Sequence, residues 1–296
     1  MKEPIGIEIV CDGGPAVGLG HVRRSHSLAW SLKESAFRVR LRTMEPFDLA
    51  TTGLDFPNDS GQVALRLFDT PLPCESLLLE SQRQGLGTIA LDYFGDVAPD
   101  LVISVVEHFT PRVRGQRVSG FEYIIIRDDI LKCRGQNVVD AAGALVLVGG
   151  GDVTGVGGLA ASRFVELEQD VTWIRGPLTP TLDAHKVPPR VTVLSNPPNI
   201  GALIQKCRWG AANGGGSLFE MMYLGKPVVV LPQTEREMTI ARQMLERGGV
   251  LGIGIDGMES VPQETLEAVG ARAQAIVDGK GLARICQLVR NVSCKK

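Results

Sequence analysis

The chain has 296 residues, 44% hydrophobic and 22% charged, with 31 Lys plus Arg against 33 Asp plus Glu for a formal charge of −2. That length supports two modest domains with their own cores, and the even charge balance argues against nucleic-acid or membrane-surface binding. No stretch approaches the ~20 apolar residues that cross a bilayer, Met1-Lys2-Glu3-Pro4 lacks the shape of a signal peptide, and the six scattered cysteines (Cys11, Cys74, Cys133, Cys207, Cys286, Cys294) contain no Cys-x-x-Cys pair, so a reducing cytoplasm is the expected home, with neither zinc nor disulfides.

Ile5 to Cys11 is an apolar run that reads as a buried strand. Gly18-Leu19-Gly20-His21-Val22-Arg23-Arg24 follows, then Ser25 to Lys33, where Leu28, Ala29 and Leu32 recur at helical spacing. A glycine-rich turn thus joins strand to helix, with a histidine at the helix start. The glycines let the backbone turn sharply and approach a ligand. The first helical amides and the dipole there favour negative charge, and a histidine so placed can exchange a proton near neutral pH. The plainer alternative is a tight turn with a surface histidine.

Arg38 to Arg42 alternates as a strand whose Arg38, Arg40 and Arg42 read as a solvated edge. Glu45 to Asp59 is irregular, broken by Pro46, Gly53 and Pro57. Val63–Phe68 is the next strand, Cys74–Arg83 a helix, and Gly87 to Asp92 a buried strand ending in an acid. Asp100–Val106 follows, and Ile124-Ile125-Ile126 ends a further strand. Strand and helix alternation predicts a parallel sheet with helices on both faces. Ligands lie outside the carboxyl ends of such strands, where Asp12, His21 and Asp92 fall. Arg127 to Asp140 is polar and reads as a linker, dividing the chain into domains 1–134 and 135–296.

The pattern then restarts. Ala144–Val148 is a strand capped by Gly149-Gly150-Gly151, Leu159–Glu168 a helix, and Val171–Arg175 and Val191–Leu194 are strands. Asn199–Arg208 reads as a helix and Trp209–Asn213 as a short strand before Gly214-Gly215-Gly216-Ser217-Leu218-Phe219-Glu220. Strand Val228–Leu231 follows, then helices over Glu237–Arg247 and much of Gln263–Val289. Three glycines end a strand, with Ser217 placed to cap the next helix, and the exposed amides of that turn could hold a diphosphate. Glu220, one turn on, could accept from the two hydroxyls of a ribose. Ser217 and Glu220 equally fit a capping box. Trp30, Trp173 and Trp209 read as core, His26 as packing or surface, and His108 and His185 have no assigned role. No Asp-x-Asp motif is present, so neither metal nor cofactor is expected.

Asp12 with Gly18–Arg24, Leu28-Ala29 and Leu32, then Asp92, Gly120–Arg127, Gly149-Gly150 and Asn199–Leu231, resembles the nucleotide-sugar hydrolase of the pseudaminic acid pathway and the related spore-coat polysaccharide proteins. It is more distantly similar to the peptidoglycan N-acetylglucosaminyltransferase. The resemblance implies a GT-B-like α/β fold of two Rossmann-like parallel-sheet domains facing a cleft, with UDP held mainly by the C-terminal one. It implies His21 as catalytic base or acid with Asp12 beside it. It implies Gly18, Gly20, Arg24, Asp92, Gly149, Gly150, Gly214, Gly215, Gly216, Ser217 and Glu220 as substrate contacts, with uracil near Ile200. Arg236 and Glu237 stand in the segment that faces the sugar, as Glu235-Arg236-Glu237 where the family carries Asp-Asn-Gln. The expected reaction is hydrolysis of a UDP-activated aminosugar by a monomer. Transfer of the sugar to a hydroxyl acceptor, or non-catalytic binding of a nucleotide sugar, are the alternatives.

Overall fold

Ile7, Ile9 and Cys11 alternate with Glu8 and Val10 along strand β1 (Gly6–Cys11), and all six residues of the strand are buried. Burial on both faces is the mark of a central parallel strand. The computed structural model describes residues 3–14, 17–49, 52–106, 116–135, 141–149, 151–152, 154–179, 182 and 187–293. The chain divides into one unit of Met1–Ile125 with Gly279–Lys296 and a second of Ile126–Asp278.

In the first unit β1 pairs in parallel with β2 (Arg38–Thr43) and β3 (Leu65–Asp69), and the sheet continues through β4 (Gly87–Leu91), β5 (Leu101–Ser104) and β6 (Gln116–Ser119). The order is β2-β1-β3-β4-β5-β6. The chain leaves β1 for β2 on one side and returns to β3 on the other. The topological switch therefore lies between β1 and β3, where open α/β sheets bind ligands. One face of the sheet packs on Val22, Leu28, Ala29 and Leu32 of α1 (Gly20–Glu34) and on Ile285, Cys286 and Val289 of the C-terminal helix, Gly281–Ser293. The other face sets Val10, Phe68, Ala90 and Val102 against Cys74 and Leu78 at α2 (Glu75–Arg83).

In the second unit β7 (Ala144–Leu147), β8 (Val171–Arg175), β9 (Val191–Ser195), β10 (Trp209–Ala212), β11 (Val228–Val230) and β12 (Gly252–Ile253) form a second parallel sheet, ordered β12-β11-β10-β7-β8-β9. Its switch lies between β7 and β10. Ala160, Ala161 and Phe164 of α4 (Val156–Glu166) cover one face with Leu266 of α8 (Gln263–Ile276). Of the remaining helices, α3 (Asp128–Leu131), α5 (Ile200–Lys206), α6 (Gly216–Tyr223) and α7 (Glu235–Glu246) belong to this unit, and α9 (Gly281–Ser293) closes the first.

Several expectations are corrected. Ile124-Ile125-Ile126 is not a strand; a 3-10 turn at Phe121–Tyr123 leads into Ile124, and the sixth strand is Gln116–Ser119. Ile124 and Ile126 are buried, and Ile125 packs partly buried against the core of the first unit, without joining a strand. The division falls at Ile125/Ile126 instead of 134/135, because Asp128–Leu131 is helical and packs on α5. The expected helical stretch Gln263–Val289 holds two helices, parted at Gly279 with φ 80°, and the second belongs to the first unit. Trp30 is 40% exposed and stacks edge-on to Phe56, while Trp173 and Trp209 are core. His108, His185, Cys294 and Gly150 lie outside the described residues. Among those residues no helix is long and apolar enough to cross a membrane, and no cluster of His, Cys, Asp and Glu could hold a metal.

Gly281 opens α9 where a Cβ would run into the backbone carbonyl of Ile124. Alanine at a helix start is worth less than ~1 kcal/mol, whereas a clash with backbone typically costs about 1–3 kcal/mol. Gly281→Ala should therefore lower the urea midpoint of unfolding; an unchanged or raised midpoint would show that α9 can shift freely.

Candidate functional site

Positions i, i+3 and i+4 share one face of a helix, and on the first turns of α1 these are His21, Arg24 and Ser25. All three converge on Asp69, the last residue of β3 and the register partner of Cys11. His21 Nδ1 lies 2.7 Å from Asp69 Oδ1, Arg24 Nε donates to Oδ2 at 3.0 Å, and Ser25 Oγ donates to Oδ2 at 2.9 Å. Arg24 Nη2 also donates to Oδ1, and Arg24 Nη1 reaches across to Asp92 Oδ2 at 2.7 Å. Asp92, just past β4, adopts φ 47°, a left-handed conformation an aspartate tolerates when its side chain bonds local backbone. Its Oδ1 accepts from Val105 N at 3.0 Å and Ser104 Oγ at 3.2 Å. Adjacent parallel strands thus each deliver one acid to a common edge.

Asp69 is fully buried, whereas the His21 side chain keeps 23% of its exposure and Arg24 19%. Burial alone would raise the Asp69 pKa, but the Arg24 guanidinium and then His21 outweigh it and hold the carboxyl well below the usual carboxylate range. Burial would likewise lower the Arg24 pKa, and Asp69 and Asp92 reverse this. An ionised carboxylate only accepts hydrogen bonds. The network therefore assigns the proton on the His21 ring to Nδ1, directed at Asp69. Nε2 makes no hydrogen bond among the described residues and keeps its lone pair. Such a ring can take a proton from a bound O–H, and Asp69 compensates the cation that forms. Burial pushes the Cys11 and Cys74 thiols up to about 12, so neither supplies a thiolate at neutral pH.

The turn before α1 matches its sequence. Gly18, at φ 76°, exchanges hydrogen bonds with Gly14 across the loop (2.7 and 3.1 Å). Open space surrounds both Gly18 and Gly20, and no side chain caps the helix. Asp12 is buried and accepts from Thr70 Oγ1 and from Glu45 N at 3.4 Å. The carboxylate that meets His21 is Asp69, and Asp12 is tied to the neighbouring strand ends instead. Arg24 spends its guanidinium on Asp69 and Asp92, so it braces the acids.

In the second unit the β7/β10 switch gathers Gly149, Asn213 and the turn Gly214–Gly216. Gly149 follows β7 at φ 52°, and a Cβ there would lie 3.4 Å from Asn213 Oδ1. Gly214 is required by close approach: a Cβ would meet the Glu237 backbone at 2.7–2.9 Å. Glu237 takes its hydrogen bonds from Asn213 Nδ2 and, at 2.7 Å, from Gln233 N. It ties the ends of β10 and β11 together beneath α7, whose cap is Thr234. Arg236 is on the same first turn. The expected Ser217 cap is corrected: α6 starts at Gly216 with Gly215 as its cap residue, and no side chain caps it. The capping box fails for the same reason, since Glu220 is bonded to Arg127. Ser217 remains on the first turn of α6 beside exposed Gly216, and buried Ile200 begins α5.

Sequence reasoning missed Asp69, Arg127 and Asn213. Asp69 closes β3 and Asn213 follows β10, the same signal that singled out Asp92, whereas Arg127 precedes α3 and carries no such signal.

No family model matches the chain. The spore coat polysaccharide biosynthesis protein SpsG of Bacillus subtilis (strain 168) is 25% identical over 118 residues, 35% of this chain and 34% of SpsG, so the likeness spans about a third of that relative's length. Solved structures match over nearly the whole chain. MurG of Acinetobacter baumannii does so at TM-score 0.66 with 10% identity, covering 97% of this chain and 100% of that one. The glycotransferase of kitacinnamycin gives 0.65 with 14% identity, covering 98% and 100%. MnaA of S. aureus, solved with UDP, gives 0.62 with 11% identity, covering 97% and 96%. The chain therefore has the glycosyltransferase-like GT-B type of fold, built from two parallel-sheet α/β units.

Proposed function

We propose that this chain cleaves the anomeric C–O bond of a UDP-activated sugar, releasing UDP. The observation that carries the reading is the 2.7 Å contact between His21 Nδ1 and buried, ionised Asp69, which leaves Nε2 as a proton acceptor. An acceptor O–H would give its proton to Nε2 while its oxygen bonds the anomeric carbon. The C–O bond to phosphate breaks, and its electron pair stays on the departing UDP oxygen. Negative charge rises on that diphosphate, and the uncapped start of α6, with Gly214–Gly216 and Ser217, is the place we assign to it. The UDP in the matched MnaA structure and the resemblance at Asn199–Leu231 support a uridine nucleotide.

Water is the acceptor we propose, following the resemblance of Gly18–Arg24 to the nucleotide-sugar hydrolases. The likeness to the kitacinnamycin glycotransferase favours a second reading equally well, in which the same base deprotonates a hydroxyl of another molecule. A panel of UDP- and CMP-sugars assayed for nucleotide release, with and without acceptors, decides the matter. Hydrolysis predicts UDP release without any acceptor, with one reducing sugar freed per UDP. Release that waits for an added acceptor would replace hydrolysis by transfer, and tight binding without turnover of any sugar would remove both.

A further inference from the structure

Glu220 does not stand alone on α6. Arg127 Nε donates to its Oε1 at 2.8 Å and Nη2 to its Oε2 at 3.3 Å, a fork that meets one edge of the carboxylate. Both side chains are largely buried, 20% and 12% exposed. A two-point Arg–carboxylate contact fixes the plane of the carboxylate as well as its place. Each oxygen keeps a further lone pair for another donor.

The backbone that carries Arg127 is fastened independently of this contact. A Cβ on Gly201 of α5 would strike Cys133 Sγ, just past α3, at 2.6 Å and come within 3.3 Å of Ile130 in α3, so α5 lies close against this segment. Gln205 Nε2 donates to Cys133 O, Tyr223 OH donates to Leu131 O at 3.4 Å, and Arg134 lies over the Tyr223 ring at 4.7 Å. These contacts hold the segment without using the Arg127 side chain.

We infer that Arg127 is a positioning residue that makes this unit selective for ribonucleotides: its fork orients Glu220 so that the two remaining lone pairs accept from the adjacent 2′- and 3′-hydroxyls of the ribose. This rests on the reading of the second unit as the nucleotide site. Its guanidinium is spent on the carboxylate and does not serve the diphosphate. A site organised around two hydroxyl donors loses a charge-assisted hydrogen bond when one is missing, and a misoriented carboxylate loses the distinction altogether.

Calorimetry on the full chain with UDP, 2′-deoxy-UDP and inorganic pyrophosphate tests this. The wild type should prefer UDP to 2′-deoxy-UDP by about 10–100-fold, one hydrogen bond to a charged group. Arg127→Met should bring the two within about threefold of each other by weakening UDP alone, and Arg127→Lys, with charge but no fork, should fall between. Pyrophosphate affinity should be unchanged in both variants, which a general loosening of the unit would not allow. A preference retained in Arg127→Met, or a wild type indifferent to the 2′-hydroxyl, overturns the inference while leaving nucleotide binding intact. A wild type that binds no UDP removes the underlying reading and this one with it. A parallel loss of pyrophosphate and UDP would make Arg127 a phosphate ligand and overturn the proposal.

Discussion

Replacing His21 by alanine should slow UDP release about 10²–10⁴-fold, the usual worth of a placed general base, while leaving UDP affinity and thermal stability near those of the wild type. The side chain is partly exposed, and its polar contacts among the described residues are with Asp69 and Arg24, so little packing is lost. Arg24 still neutralises Asp69 after the change. Steady-state UDP release and UDP titration on the same preparation separate chemistry from binding. A variant with unaltered turnover would show that His21 is not the base, and a variant with unaltered turnover per bound substrate but weaker UDP affinity would make it a binding residue.

Asp69→Asn should be damaging in two ways at once. The amide brings donors to a place where His21, Arg24 and Ser25 all donate, so His21 loses the acceptor that fixes its Nδ1 proton. A loss of about 10³–10⁴-fold in turnover is expected when an orienting carboxylate is neutralised. The second effect is on the fold: Arg24 keeps Asp92 but loses its buried partner, and breaking one side of a buried pair costs about 3–5 kcal/mol. The acid limb gives a distinct signature. The Asp69 pKa in the folded chain is held below its unfolded value of about 3.9. Its contribution is therefore fully present above about pH 4 and is lost as pH falls from there toward the folded value. Asp69→Asn should be less stable at pH 7, with a gap to wild type that narrows below about pH 4. A constant gap across that range would mean Asp69 is not ionised in the folded protein.

Much of this arrangement was legible in the sequence. Strand and helix alternation located both parallel sheets, and Gly18–Arg24 and Gly214–Glu220 mark the edges where the candidate residues gather. What escaped did so for physical reasons. The strand Leu65–Asp69 looked finished at Phe68, so the acid closing it was overlooked, although Asp92 after Leu91 was noticed by the same rule. The partner of Glu220 lies 93 residues away, a separation that no local pattern bridges. Gln116–Ser119 is polar because it is an edge strand, and the apolar Ile124–Ile126 drew the strand reading to itself. With three successive glycines before Ser217, any of them could cap the helix, and only the close approach of Glu237 to Gly214 decides where the chain turns.

The placement of α9 bears on how the polypeptide emerges from the ribosome. Ile285, Cys286 and Val289 complete a core whose other members are synthesised first. The front half of the nascent chain thus carries an open apolar face until α9 has been made, whereas the back half has all its strands and helices by Asp278. The later-born unit is the one free to fold first, and the earlier-born one is sealed only when α9 arrives.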